Sequence, residues 1–342
     1  MNGAVHYITM CGKLICFFGD RFPTTDLSAV EASTVSYSSL VFFQQRDFFA
    51  LEDKLPHIPA PVDVCLVGCV STELLEYLQE LQKAGKIRRT LVSIADVYKA
   101  LPFTDVSVGS EKWDNMGTPD GLCELDYSVV NVGDVQKLLP SIEHIVDEIA
   151  GYRPTSDLEK ILLVDLWFQR HVQYIKGRES HAQGGVYLCE DMVRESLAED
   201  VILHRFGRCE DIAFTAAMIL NHPRISVPCR QVSASRIGFN HSWNIITLDG
   251  SDYYTDFTHN ITRNPDLVPS ALKARSYSPQ FTLLGLRDAL SKYGTTNEYH
   301  NDCFSIESYD RAKIEITINE LTSKGISLSW DDHLVMDSIL LP

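Results

Sequence analysis

Asp249-Gly250 stands between two runs rich in β-branched and aromatic residues, Phe239 to Leu248 and Ser251 to Thr258. Asp-Gly supplies the backbone of a two-residue hairpin turn, so the runs are expected as antiparallel strands. Pairing Leu248 with Ser251 sets the register, with His241 opposite Thr258 and Trp243 opposite Asp256. His241 and Asp256 then share one face as diagonal neighbours, roughly 7 to 8 Å apart between backbones and within reach of side chains. A slip of one residue would send them to opposite faces.

A second segment, Gly207-Arg208-Cys209-Glu210-Asp211-Ile212-Ala213, leads into a helix pattern in which Ile212, Ala213, Ala216, Ile219 and Leu220 follow a buried face. Cys209 therefore falls at or just before the first helical turn. There its sulfur meets backbone N–H groups and the positive end of the helix dipole, both of which favour an anion. A cysteine is usually a buried structural residue. This one is singled out because its turn, its helix and its downstream partners agree. Nucleophile, imidazole and carboxylate together are the parts of acyl transfer through a thioester, with Cys209 attacking, His241 moving the proton and Asp256 orienting the imidazole. Asp252 is the rival carboxylate, but it belongs to the turn and is expected to face water. The backbone N–H of Cys209 is the natural first donor to the oxyanion of the tetrahedral intermediate. Trp243, on the same strand face, either covers His241 from solvent or packs as ordinary core.

These blocks resemble one family. Gly207-x-Cys209-x-Asp211-x-Ala213, Val227-Pro228-x-Arg230, His241-x-Trp243 and Asp256-Phe257-Thr258 are similar to the transglutaminase-like superfamily of papain-type thiol enzymes, as is the lead-in from Trp167 to Tyr174. The resemblance spans about residues 155 to 265. It implies an α+β papain-like, transglutaminase-like core, a nucleophile helix packed on an antiparallel sheet, with Cys209, His241 and Asp256 as the triad. It also implies Tyr174 as a supporting aromatic donor, a place that a core residue at a helix end would also occupy. Ser226 replaces the usual glycine before Val-Pro-x-Arg, and Phe257 the usual proline after the triad aspartate. Neither touches the chemistry. The implied function is a cysteine protease or amidase acting on a peptide or protein substrate. The alternatives are a transglutaminase or peptide-ligating transamidase, and an inactive scaffold that keeps the fold.

With 342 residues, 45% of them apolar, the chain has material for two domains. A formal charge of −16 weighs against nucleic acid or an anionic membrane as partner. The nine cysteines are irregularly spaced, which fits a reducing compartment and gives no disulfide framework. No targeting or bilayer-spanning run is evident, and a cytoplasmic location is expected. Cys11 and Cys16, and Cys65 and Cys69, lack the spacing of zinc knuckles. No metal or cofactor is therefore expected, and the glycan-removing amidases of the family, which carry such knuckles, fit less well.

Residues 1–150 read as an α/β accessory or substrate-recognition domain. Met10 to Phe18 is expected as a buried strand. Val62 to Val70 is a strand, Ser71 an N-cap, Leu74, Leu75, Leu78 and Leu81 a helical stripe ending at Gly85, and Ile87 to Ile94 a second strand. No phosphate-binding glycine motif is present. The turn Gly151-Tyr152-Arg153-Pro154 opens a catalytic domain over 151–342, starting with a capping box at Ser156 and Glu159 and a largely apolar helix from Asp157 to about Tyr174. Specificity is expected from the insertion between Ile175 and Phe206, with its glycines 177, 184 and 185 and the run Arg178-Glu179-Ser180-His181, and from Ser233 to Asn240. Beyond residue 265, a helix is expected over Gln280–Tyr293 and strands over Lys313–Ile318 and Gly325–Trp330.

Overall fold

A computed structural model describes residues 14–18, 41–44, 62–67, 70–114, 123–174, 199–236, 239–262, 275–293 and 305–330. The chain is mixed α+β and divides into two compact units. One comprises 1–137 with 233–240 and 296–303; the other comprises 138–232, 241–295 and 304–342. The Gly151-to-Pro154 turn lies within the second unit. Residues 10–13 of the expected N-terminal strand, and the glycines and charged run between Ile175 and residue 198, fall outside the described residues.

The first unit is built on parallel strands β1 (Leu14–Phe18), β2 (Val41–Gln44), β3 (Val62–Val67), β4 (Ile87–Ser93) and β5 (Val106–Asp114), ordered β2-β1-β3-β4-β5. An antiparallel strand, β6 (Cys123–Asn131), pairs with β5. Helix α1 (Thr72–Lys83) makes the β3–α1–β4 crossover that the hydrophobic stripe requires, burying Leu74, Leu75, Leu78 and Leu81. Ser71 caps it, accepting from the Leu74 N–H at 3.3 Å. Gly85, at φ +71°, stops it. Helix α2 (Val132–Gly151) follows β6.

In the second unit, α3 (Asp157–His171) is the central buried helix, capped by Ser156 through the Glu159 N–H at 3.2 Å. Val164, Ile161 and Phe168 are fully buried, and packing falls on α4 (Cys209–Asn221) and on the short helix α5 (Phe257–Thr262). Phe168 meets Phe257 of α5 at 5.4 Å between ring centroids. Ile212, Phe214, Ile219 and Leu220 of α4 are all within 1% of complete burial. Each such side chain contributes about 1.5–3 kcal/mol, so α4 is anchored by its interior face and presents its first residue to the surface.

The expected helix to Tyr174 ends earlier, at His171. Val172 turns extended, and β7 (Gln173–Tyr174) pairs in parallel with β8 (Phe206–Gly207). Strands β9 (Cys229–Arg236), β10 (Phe239–Leu248) and β11 (Ser251–Thr255) follow in that order in one sheet. The β10–β11 hairpin has the expected register from Leu248 opposite Ser251 to Asn244 opposite Thr255. Asp249 and Gly250 carry positive φ angles of 52° and 78°, the turn that Asp-Gly favours. The ladder stops there. Trp243 and His241 have no strand partners on β11, because α5 begins at Phe257 and carries Thr258 away.

Three C-terminal expectations are corrected. Lys313 to Ile318 lies in helix α7 (Arg311–Ser323), following α6 (Leu286–Tyr293). The alternating isoleucines imitate a strand, but Asp310 caps a helix by accepting from the Ala312 N–H at 2.9 Å. Ile314, Thr317 and Leu321 then face inward while Ile316 is 56% exposed. Of Gly325–Trp330 only Ser329–Trp330 is a strand, pairing with Arg275–Ser276. The helix expected from Gln280 begins six residues later, because Leu284 forms an extended bridge with Tyr254. No described helix is long and apolar enough to cross a membrane.

Candidate active site

The glycine-x-cysteine-x-aspartate pattern has a steric and a polar cause. A Cβ on Gly207 would lie 2.5 Å from Val201 Cγ2 and 3.0 Å from Asp211 Cβ, so only glycine lets the chain enter α4 here. Asp211 is buried and turns back to accept the Arg208 backbone N–H at 2.8 Å. A carboxylate in the first turn thus satisfies the chain just before the helix and complements its dipole. Cys209 is the first residue of α4, half-buried and reduced.

Opposite it stands His241, buried on β10. Its Nε2 lies 2.6 Å from Asp256 Oδ2. The Cys209 sulfur also acts on the imidazole, through a hydrogen bond and through charge. Burial alone would depress the His241 imidazole; the Asp256 charge and hydrogen bond, then those of Cys209, outweigh it and hold it above the ordinary histidine range. Burial alone would likewise lift the Asp256 carboxyl. The His241 charge and the hydrogen bonds from His241 and His259 hold it well below the usual carboxylate range, so it is ionised.

Asp256 is fixed from several directions. Its backbone N–H donates to Phe281 at 2.9 Å, and its Oδ1 accepts the His259 N–H at 2.9 Å, capping α5. Its Oδ2 also meets His259 Nδ1 in a very short contact. His259 was not singled out from the sequence. Its signal is a helix-cap pattern, Asp256 followed three residues on by His259, hidden because the strand was expected to continue to Thr258. The rival Asp252 instead pairs with Arg230 at 2.8 Å and accepts from Thr247 at 2.5 Å.

Trp243 stacks on His241 at 5.9 Å and on Tyr254 at 6.3 Å, so one indole both covers the imidazole and belongs to the core. Tyr174, on β7 opposite Gly207, is brought to the same place. Burial raises its hydroxyl's pKa, and the negative charge of Cys209 raises it further. His241, Asp256 and His259 are residue types that bind metals, with ligand atoms within 4.8 Å of one another. Ligands of a tetrahedral zinc at about 2.0–2.1 Å stand about 3.3 Å apart. The 2.6 Å between His241 and Asp256 is the spacing of a hydrogen bond.

Behind the site lies a buried polar knot. Asp165 of α3 accepts from Thr282 Oγ1 at 2.8 Å, from Asn260 at 3.0 Å and from Tyr277 at 3.1 Å. Asn260 in turn accepts the Phe281 N–H at 2.7 Å. The carboxyl is fully buried, and that burial, against these hydrogen bonds, lifts its pKa to about 6. The knot ties α3 to α5 and to the turn at Phe281 that holds the Asp256 backbone.

No protein-family model matches the chain, and no curated protein does. Among solved structures, a crystal structure of a TGase aligns over 38% of this chain and 34% of its own length, with 16% identity and a TM-score of 0.30. The chain thus spans about a third of the solved chain it matches.

Proposed function

We propose that the protein is a thiol-dependent acyl-transfer enzyme, a cysteine protease or amidase of transglutaminase-like type. The observation that carries this reading is His241 held between the Asp256 carboxylate and the Cys209 sulfur. With Nε2–H committed to an ionised carboxylate, Nδ1 is left to take the thiol proton. Cys209 then attacks a peptide or carboxamide carbonyl, and a tetrahedral oxyanion forms. The Cys209 backbone N–H and the Tyr174 hydroxyl are assigned as its donors. His241 passes its proton to the leaving amine, the C–N bond breaks, and a thioester remains. Cys209 is half-buried rather than sealed, so water reaches the thioester. His241 takes a proton from that water, which adds to the thioester, and the carboxylic acid leaves with the thiol restored.

The test is to incubate the protein with a glutamine-rich peptide pool and excess primary amine, and to read the products by mass. Chain cleavage or deamidation that disappears in C209A is the expected result. Amine incorporation would instead identify a transamidase, and no Cys209-dependent product would identify an inactive scaffold.

A further inference from the structure

Two imidazoles address one carboxylate oxygen. Asp256 Oδ2 is met by His241 Nε2 at 2.6 Å and, in a still shorter contact, by His259 Nδ1. An ionised carboxylate only accepts, so both ring nitrogens carry hydrogen. The rings stand edge to face, with centroids 4.8 Å apart. His259 is seated independently of His241, because it stacks on Phe281 at 5.1 Å and its backbone N–H is bound to Asp256 Oδ1. Phe281 is itself fixed, through its N–H to Asn260 and its carbonyl to the Asp256 N–H.

We propose that His259 is a positioning residue of the site: by donating from Nδ1 to the oxygen that Asp256 offers His241, it divides that oxygen's charge between two imidazoles and keeps the His241 proton transferable. The inference rests on the reading of His241 as the base for Cys209. A carboxylate that already accepts one donor stabilises a neighbouring imidazolium less than an undivided one. This matters because His241 must release its proton to the leaving amine, and a general acid works best with a pKa near the working pH. Among the described residues, the titratable groups that act on His241 include Cys209 from α4, Asp256 just beyond β11, His259 from α5 and, acting through Cys209 and Asp256, Tyr174 from β7.

A crossed pair of variants separates the hydrogen bond from the ring. H259F keeps a ring against Phe281 and removes the donor; H259N puts an amide N–H where Nδ1 stands and removes the ring. The readout is the His241 imidazole titration, followed by NMR with isotope-labelled histidine. H259F is expected to raise the His241 midpoint, by roughly three- to tenfold in proton affinity, and H259N to leave it near wild type. An unmoved midpoint in H259F, or equal shifts in both variants, overturns the proposal. If H259F does not fold, H259A, which also removes the donor, takes its place: a raised His241 midpoint supports the proposal and an unmoved one overturns it. Wild-type Cys209 is alkylated with iodoacetamide alongside. Fast alkylation with an unmoved H259F midpoint removes only the role of His259, whereas slow alkylation removes the base assignment and this inference with it.

Discussion

His241 Nε2 and Asp256 Oδ2 meet at 2.6 Å although the β10–β11 ladder ends at Asn244 and Thr255, short of both residues. The hairpin brings the two residues to one face, and α5 then holds the carboxylate by capping. Replacing Asp256 with asparagine leaves one oxygen for three N–H donors and turns an amide N–H toward another. D256N is expected to lose about 3–5 kcal/mol of stability, as when one partner of a buried ion pair is removed. Chemical denaturation checks the stability, and the rate of Cys209 alkylation, expected to fall at least tenfold, checks the site.

Gly207 sets how closely the chain approaches α4. G207A forces a methyl to within 2.5 Å of Val201 Cγ2 and 3.0 Å of Asp211 Cβ. The expected loss is about 1–3 kcal/mol, typical of overpacking. A melting curve reads it, and an unchanged Tm would show that Val201 yields freely.

Tyr174 is assigned to the oxyanion and not to the thiol's proton. Y174F should therefore leave Cys209 alkylation unchanged, since that reaction makes no oxyanion, while peptide turnover falls by about 10²-fold, as for loss of one such donor. Equal effects on both reactions would place Tyr174 in the packing around Cys209.

The hairpin and helix α4 are legible in the sequence, because Asp-Gly and the 3.6-residue apolar spacing are local signals with one structural meaning. The residues that complete the site were less so. Tyr174 reads as a helix end, and only its pairing with Phe206–Gly207, thirty-odd residues away, brings it to Cys209. His259 was hidden because Asp256 has two local meanings, strand residue and helix cap, and burial of Phe257 against Phe168 selects the second. Lys313 to Ile318 misleads for the same reason, since its alternation suits a strand until the Asp310 cap and the burial of Ile314 and Leu321 select a helix.

Asp165 gives a pH signature. Burial raises its pKa from the ordinary carboxyl value of 3.8 to about 6 in the folded protein. The native state therefore binds more protons than the unfolded state between those values, and this contribution to stability falls as pH rises from about 4 to 6. Its size is on the order of 1–3 kcal/mol. Denaturation of wild type and D165N across that range checks it: the difference in stability between the two should change by this amount, and a constant difference would remove the assignment.

The central claim is that His241 activates Cys209. The direct measurement is the rate of iodoacetamide alkylation at Cys209, mapped by mass at about pH 6, where an ordinary thiol is almost wholly protonated, in wild type and H241A. Selective labelling of Cys209 at least tenfold faster than a free thiol, lost in H241A, is the predicted result. Labelling no faster than a free thiol, or an advantage that survives the loss of His241, would contradict it.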